Sequence, residues 1–146
     1  MTVSVLRPNA AAQVGNSVTG AASAHAATND DSDSSYVAGF LDSGDYVSFA
    51  LGDLTLPAGA VVTRLVLALK LAAPAGNGAL YVYVNSGSNF VDVYDANVNV
   101  VWSTPTLATV LTIADAILTD SFVDAVNVLV KGRDGGSVGE TDLYEL

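Results

Sequence analysis

The chain is 146 residues long, with 51% hydrophobic residues, 15 acidic and 5 basic side chains and no cysteine. That length suits one domain able to bury a core without covalent staples, and the lack of cysteine excludes disulfides, thiolate metal sites and thiol nucleophiles. A formal net charge of -10 opposes contact with nucleic acid or an anionic bilayer. The apolar residues come in alternating runs shorter than the ~18 that a membrane-spanning helix needs, and the first residues carry no basic stretch followed by an apolar one, so no signal peptide is expected.

Residues 2–6 alternate weakly and stop at Arg7-Pro8-Asn9, which predicts a short strand or a docking arm. Residues 10–27 are rich in Ala, Gly, Ser and Thr, with a strand expected over 13–19. Residues 1–27 therefore read as an N-terminal arm or weakly ordered strand segment, ahead of a domain over 28–146. A turn cluster at 29–35 leads into a strand over 36–41 and a tight Asp42-Ser43-Gly44 reversal. The next strand sets Val47, Phe49 and Leu51 on one face and Tyr46, Ser48 and Ala50 on the other, the period-2 pattern of a half-buried strand. Leu56-Pro57-Ala58-Gly59 predicts a turn, with Pro57 presetting φ at the second position and Gly59 tolerating the exit geometry. A long strand is expected from Val61, with Val61, Leu65, Leu67, Leu69 and Leu71 in the core and Arg64, Ala68 and Lys70 outward.

Residues 73–78 are a loop by composition, and the strand over 79–85 opposes Leu80, Val82 and Val84 to Tyr81 and Tyr83. After a turn at 86–89, Phe90, Val91, Val93 and Tyr94 start a strand that Asp95-Ala96-Asn97 breaks before another over 98–102. Pro105 marks an edge or loop, because it cannot donate to a ladder. Residues 107–118 divide between strand (109–113) and one helical turn (113–118). Within 122–131, Val126, Val128 and Val130 alternate with Asn127, Leu129 and Lys131. A Gly-rich turn at 132–139 precedes a last strand at 143–146. Eight to ten short strands with hardly a helix predict an all-β, antiparallel two-sheet β-sandwich, jelly-roll-like.

Chemistry-bearing clusters are few. Asp30, Asp31 and Asp33, with Asp42 and Asp45, offer oxygen ligands, and Asp31 and Asp33 are the candidates for Ca²⁺. Their spacing does not match an EF-hand loop, and a solvated turn whose side chains cap backbone amides is the plainer account, so no metal or cofactor is expected. His25 is the only histidine and lies in an Ala-rich segment with no nucleophile-elbow motif. Tyr81, Tyr83, Tyr94, Tyr144 and Trp102 offer an aromatic platform for sugars, a subunit contact or a plain covering of the outer sheet. The run Lys131-Gly132-Arg133-Asp134-Gly135-Gly136 lacks the ending of a phosphate loop and reads as a β-turn.

Two stretches carry a resemblance. AASAHAATNDDSDSSYV and YVSFALGDLTLPAGAVVTRLVLALKL resemble the opening and the centre of phage virion β-sandwich domains, and the second stretch is also similar to carbohydrate-binding-module-like jelly rolls. With the terminal Leu143-Tyr144-Glu145-Leu146, the likeness covers about half the chain. The phage resemblance implies a non-enzymatic virion part, foremost a capsid decoration protein that stabilises the assembled shell. Its partner would be the major capsid protein or another virion protein, and the chain a homo-oligomer with a trimer favoured. The contact surface would comprise the N-terminal segment, with Val3, Val5 and Arg7, and a Tyr-bearing sheet face with Tyr81, Tyr83 and Trp102. The alternative is a glycan-binding module, or a tail or head-fibre adhesion domain, using Tyr81, Tyr83 and Trp102.

Overall fold

The structure, a computed structural model, describes residues 4–87, 94–114, 118–134 and 139–146. In chain order the elements are β1 (Pro8–Val14), β2 (Ser17–Thr19), α1 (Ala24–Ala27), β3 (Tyr36–Phe40), β4 (Tyr46–Leu51), β5 (Leu65–Ala72), β6 (Gly78–Ser86), β7 (Tyr94–Val100), β8 (Thr106–Ile113), α2 (Asp120–Asp124), β9 (Val126–Gly132) and β10 (Thr141–Glu145). They build two five-stranded sheets, sheet A in the order β1-β4-β9-β6-β7 and sheet B in the order β2-β3-β10-β5-β8. Every neighbouring pair in them is antiparallel. Without β1 and β2, each sheet keeps four strands, β4-β9-β6-β7 against β3-β10-β5-β8, which is the strand order of a jelly roll.

Alternation drives the packing. Val47 and Phe49 of β4, Leu80, Val82 and Val84 of β6 and Val126, Val128 and Val130 of β9 point inward from sheet A. They meet Val37, Phe40, Leu67, Leu69, Leu71 and Leu143 from sheet B in one core cluster. Each such side chain contributes roughly 1.5–3 kcal/mol when fully buried. The last strand, β10, runs between β3 and β5, so the C-terminal residues hold the middle of sheet B.

The segment over 1–27 enters both sheets. Its first strand among the described residues covers Pro8–Val14 and pairs with β4; residues 4–6 of the strand expected over 2–6 lie before it, and 2 and 3 are outside the described residues. Pro8 fits because it opens an edge strand, where its missing N–H is not needed by a second neighbour. The strand expected over 13–19 is divided by Gly15, whose φ of +76° turns the chain out of sheet A, and β2 then joins β3. Ser23 caps α1 by accepting from the Ala26 amide at 3.4 Å, and Ala24 and Ala27 are buried beneath it.

Four other expectations are corrected. Val61 is 77% exposed, because the turn closes one residue later than its sequence suggests. Ala60 N–H donates to Pro57 O at 2.9 Å, and Gly59 has φ +80°, which puts Pro57 first and Gly59 third in the turn. The chain is then still crossing from sheet A, and β5 starts only at Leu65. Asp95-Ala96-Asn97 does not break a strand: β7 runs unbroken through it, with Asp95 and Asn97 exposed on the outer face and Ala96 turned inward. Gly132 ends β9 instead of opening a turn, and Phe122 sits in α2, capped by Thr119. Phe90, Val91, Val93 and part of the expected 113–118 helical turn lie outside the described residues.

Phe49 is fully buried and Val61 is not, so their truncations separate cleanly. Phe49→Ala should cost about 3–5 kcal/mol in urea unfolding, whereas Val61→Ala should stay within about 0.5 kcal/mol. Equal costs would overturn this placement of the core.

Candidate functional site

On β6, the residues that alternate with Leu80, Val82 and Val84 are Tyr81 and Tyr83, so burying the former commits both tyrosines to the outer face of sheet A. Their rings lie 6.1 Å apart and within 28° of parallel. Register assembles the rest of the face. One row across the strands runs Val14, Tyr46, Lys131, Tyr81 and Asn97, and the next runs Ala12, Ser48, Leu129, Tyr83 and Asp95. The Arg133 guanidinium lies over the Tyr81 ring, 5.5 Å from its centroid, within cation–π range. Beyond Tyr81 the face continues into a shallow groove of about 500 Å³ lined by Asn77, Gly78, Ala79, Asn99, Val101, Arg133 and Asp134.

The β3–β4 turn fixes the Arg133 end of this face. Gly132 leaves no room for a Cβ against the Asp42 backbone, and its N–H donates to Asp45 O at 2.8 Å. Ser43 donates to both oxygens of Asp134, through its N–H at 2.9 Å and its hydroxyl at 2.6 Å. Those hydrogen bonds, with the nearby Lys131 charge, hold the Asp134 carboxyl below its usual range. Asp134 is therefore turned toward Ser43, and among the described residues neither Lys131 nor Arg133 has a carboxylate within ion-pair distance.

The residues expected to act together are dispersed. Tyr81 and Tyr83 share the face, but Trp102 lies beyond β7, packed against the core, and Tyr94 packs against the core from β7. Tyr144 meets Tyr36 on sheet B, with ring centroids 5.0 Å apart. Val5 is 73% exposed, and Arg7 pairs with Asp31 at 3.0 Å, far along the chain from the tyrosines; Val3 lies outside the described residues. Asp31 and Asp33 each face a cation, Arg7 and Lys70 respectively. Among the described residues, no three metal-ligating side chains gather. His25 Nδ1 lies 3.1 Å from Ser23 Oγ, but that oxygen also caps α1, and no carboxylate among the described residues orients the ring. The sequence does not reveal Lys131, Arg133 and Asn97 as neighbours of Tyr81, nor Asn99 as the next outward residue of β7. The alternation of β7 and β9 places Asn97, Asn99 and Lys131 outward, but which strands are neighbours is not written in either.

A second cavity, about 480 Å³, opens at one end of the sandwich. It is lined mainly by Val and Leu, among them Leu51, Leu54, Val62, Val84 and Val126, with Arg7 and Arg64 also in its wall. It brings none of the tyrosines together.

No known protein family matches the sequence, and no curated protein matches it. Among solved structures, the chain is similar to part of a cycloisomaltooligosaccharide glucanotransferase from Paenibacillus sp., crystallised in complex with cycloisomaltoheptaose. The TM-score is 0.54 at 19% identity, over 94% of this chain and 17% of that one. The likeness is one of fold. It supports the β-sandwich, shared with a portion of a carbohydrate-active protein, and at this identity assigns no residue a role.

Sheet B has its own electrostatic feature. Asp142 on β10 is 5% exposed, and its buried Oδ1 has no hydrogen-bond partner among the described residues. Burial, with Glu140 adding to it, pushes its carboxyl up to about 6. A raised carboxyl pKa means the folded state holds the proton more tightly than the unfolded chain. The associated stability is complete below the ordinary value of 3.8 and lost as pH rises through about 6, following proton linkage. Asp142→Asn keeps the shape without the charge. It should raise the unfolding free energy at about pH 7 by roughly 1–3 kcal/mol and change it little near about pH 4. An equal effect at both values in urea titrations would reject the burial of a charged Asp142.

Proposed function

We propose that the chain is a non-catalytic glycan-binding module whose binding face is the outside of sheet A. The observation that carries this reading is the Tyr81–Tyr83 pair, two near-parallel rings on a sheet surface, with Asn97 beside Tyr81 and Asn99 in the adjoining groove. Apolar faces of pyranose rings stack on aromatic faces, and amides on the rim hydrogen-bond the hydroxyls. The ring separation is on the order of one sugar unit. A fold shared with part of a protein solved with a cyclic oligosaccharide supports the reading without locating its site. Binding here would need no motion, since both rings stand on a strand held by neighbours on either side.

A capsid decoration role, as a homo-oligomer on a virion surface, is the second reading. What favours it is the set of exposed apolar side chains Val5, Val61, Val66 and Leu107, all lining the end cavity, since such a patch suits a protein contact. Deleting the N-terminal segment would remove β1 and β2 along with it, so the test is Val5→Asp, which should abolish self-association or shell binding while the chain stays folded.

The glycan reading is tested by affinity electrophoresis in gels cast with soluble polysaccharides. Tyr83→Ala should weaken retention at least tenfold, about 1.4 kcal/mol, with an unchanged circular dichroism spectrum. Trp102→Ala should instead lower the melting temperature and leave the affinity of the folded protein intact. Retention unaffected by Tyr83→Ala and Tyr81→Ala would remove sheet A's outer face as the site.

A further inference from the structure

The charge around Tyr81 narrows the ligand class. The chain has five basic side chains against fifteen acidic ones. Arg7 pairs with Asp31, and Lys70 with Asp33 and Glu145, while Arg64 lines the end cavity. The remaining two, Lys131 and Arg133, both flank Tyr81, Lys131 as its cross-strand partner and Arg133 over its ring. Neither is ion-paired among the described residues, although Asp134 is the next residue in the chain, because Ser43 holds that carboxylate. Asp95, a second exposed acidic residue of the face, stands opposite Tyr83. The Tyr81 end thus carries two cations against the one carboxylate of Asp134, and the Tyr83 end carries Asp95.

Resting on the glycan reading above, we propose that the ligand is an anionic polysaccharide, whose sugar ring packs on Tyr83 and on the part of Tyr81 that the guanidinium leaves open, while a carboxylate or sulfate group meets Lys131 and Arg133. Sugar hydroxyls alone do not require two cations, and Asp134, whose oxygens accept from Ser43, can balance only one of the two charges, so a neutral ligand would leave net positive charge at this end. The guanidinium suits either anion, since its fork of N–H donors matches two oxygens of a carboxylate or sulfate. The net charge of -10 repels a polyanion from most of the surface, but not from the immediate surroundings of the two cations. At physiological ionic strength charges beyond about 8 Å are largely screened, so the local pair decides. The excess acidity elsewhere confines a polyanion to this face.

The experiment compares matched polymers on the intact chain by affinity electrophoresis: dextran with dextran sulfate, and methyl-esterified with de-esterified polygalacturonate, plus polyglutamate as a polyanion without sugar. The expected result is at least tenfold stronger retention by one charged polysaccharide than by its neutral counterpart. The dextran sulfate arm reports a sulfate ligand and the polygalacturonate arm a carboxylate. Lys131→Gln with Arg133→Gln should remove that difference, as should raising the salt to about 0.5 M, and Tyr83→Ala should weaken both arms. Equal retention by charged and neutral polymers would overturn the anionic preference and leave the glycan reading standing. Equal retention by polyglutamate, insensitive to Tyr83→Ala, would overturn both, as would no retention by any polymer.

Discussion

Burial of Val126, Val128 and Val130 is the constraint on which the candidate site depends. These three side chains of β9 are almost wholly removed from water, and β9 lies between β4 and β6 in the middle of sheet A. A slip of one residue would exchange the faces of the strand, driving Asn127, Leu129 and Lys131 inward. An unpaired ammonium in the core is far more costly than the loss of any one valine contact, so the register is held. That register sets Lys131 between Tyr46 and Tyr81. The surface arrangement is a by-product of the core.

The end of β9 is fixed by a different means. Gly132 presses against the Asp42 backbone, where a side chain has no space, and the turn is braced from within by Asp42 and Asp45. Gly44 N–H donates to Asp42 Oδ1 at 2.7 Å, and the Leu41 and Asp42 amides donate to Asp45 Oδ2. Arg133 therefore leaves the strand from a clamped position. Each bond is exposed and contributes little to stability alone, but together they limit the directions available to the guanidinium. The connection between the two sheets and the layout of the candidate face are one piece of structure.

Much of the sandwich is legible in the alternation of β4, β6 and β9, since their apolar residues are large and their polar ones clearly soluble. The pattern fails at the edges for physical reasons. β1 is built largely from alanine, which carries almost no periodic signal, and an edge strand needs only one row of partners. In β7, Asp95 and Asn97 have the composition of a turn, but on an outer strand face polar residues are what solvent selects. Val61 looked like core because its neighbours were apolar, and only the crossing between sheets leaves it outside. The tyrosines divided for a further reason: strand parity tells which residues of one strand share a face, but not which faces of different strands coincide. Tyr94 and Tyr81 are alike in type and lie on neighbouring strands, yet point to opposite sides of sheet A.

The two outer faces differ in how their charged and aromatic side chains are engaged. On sheet B, Lys70 is held between Asp33 and Glu145, and its pKa is raised first by the Asp33 hydrogen bond and then by that of Glu145. The pairs tie the turn before β3 to β5 and β10, and an arriving ligand would have to compete with them for the cation. Tyr144 and Tyr36 are occupied with each other, and burial raises the Tyr144 pKa, so its hydroxyl stays protonated. On sheet A, among the described residues, Lys131 and Arg133 make no such ion pair, and the tyrosine pair is ordered by the strand beneath it. Ion pairs that are already made add rigidity, whereas cations held in place without a direct ion pair are pre-organised for an anion that arrives.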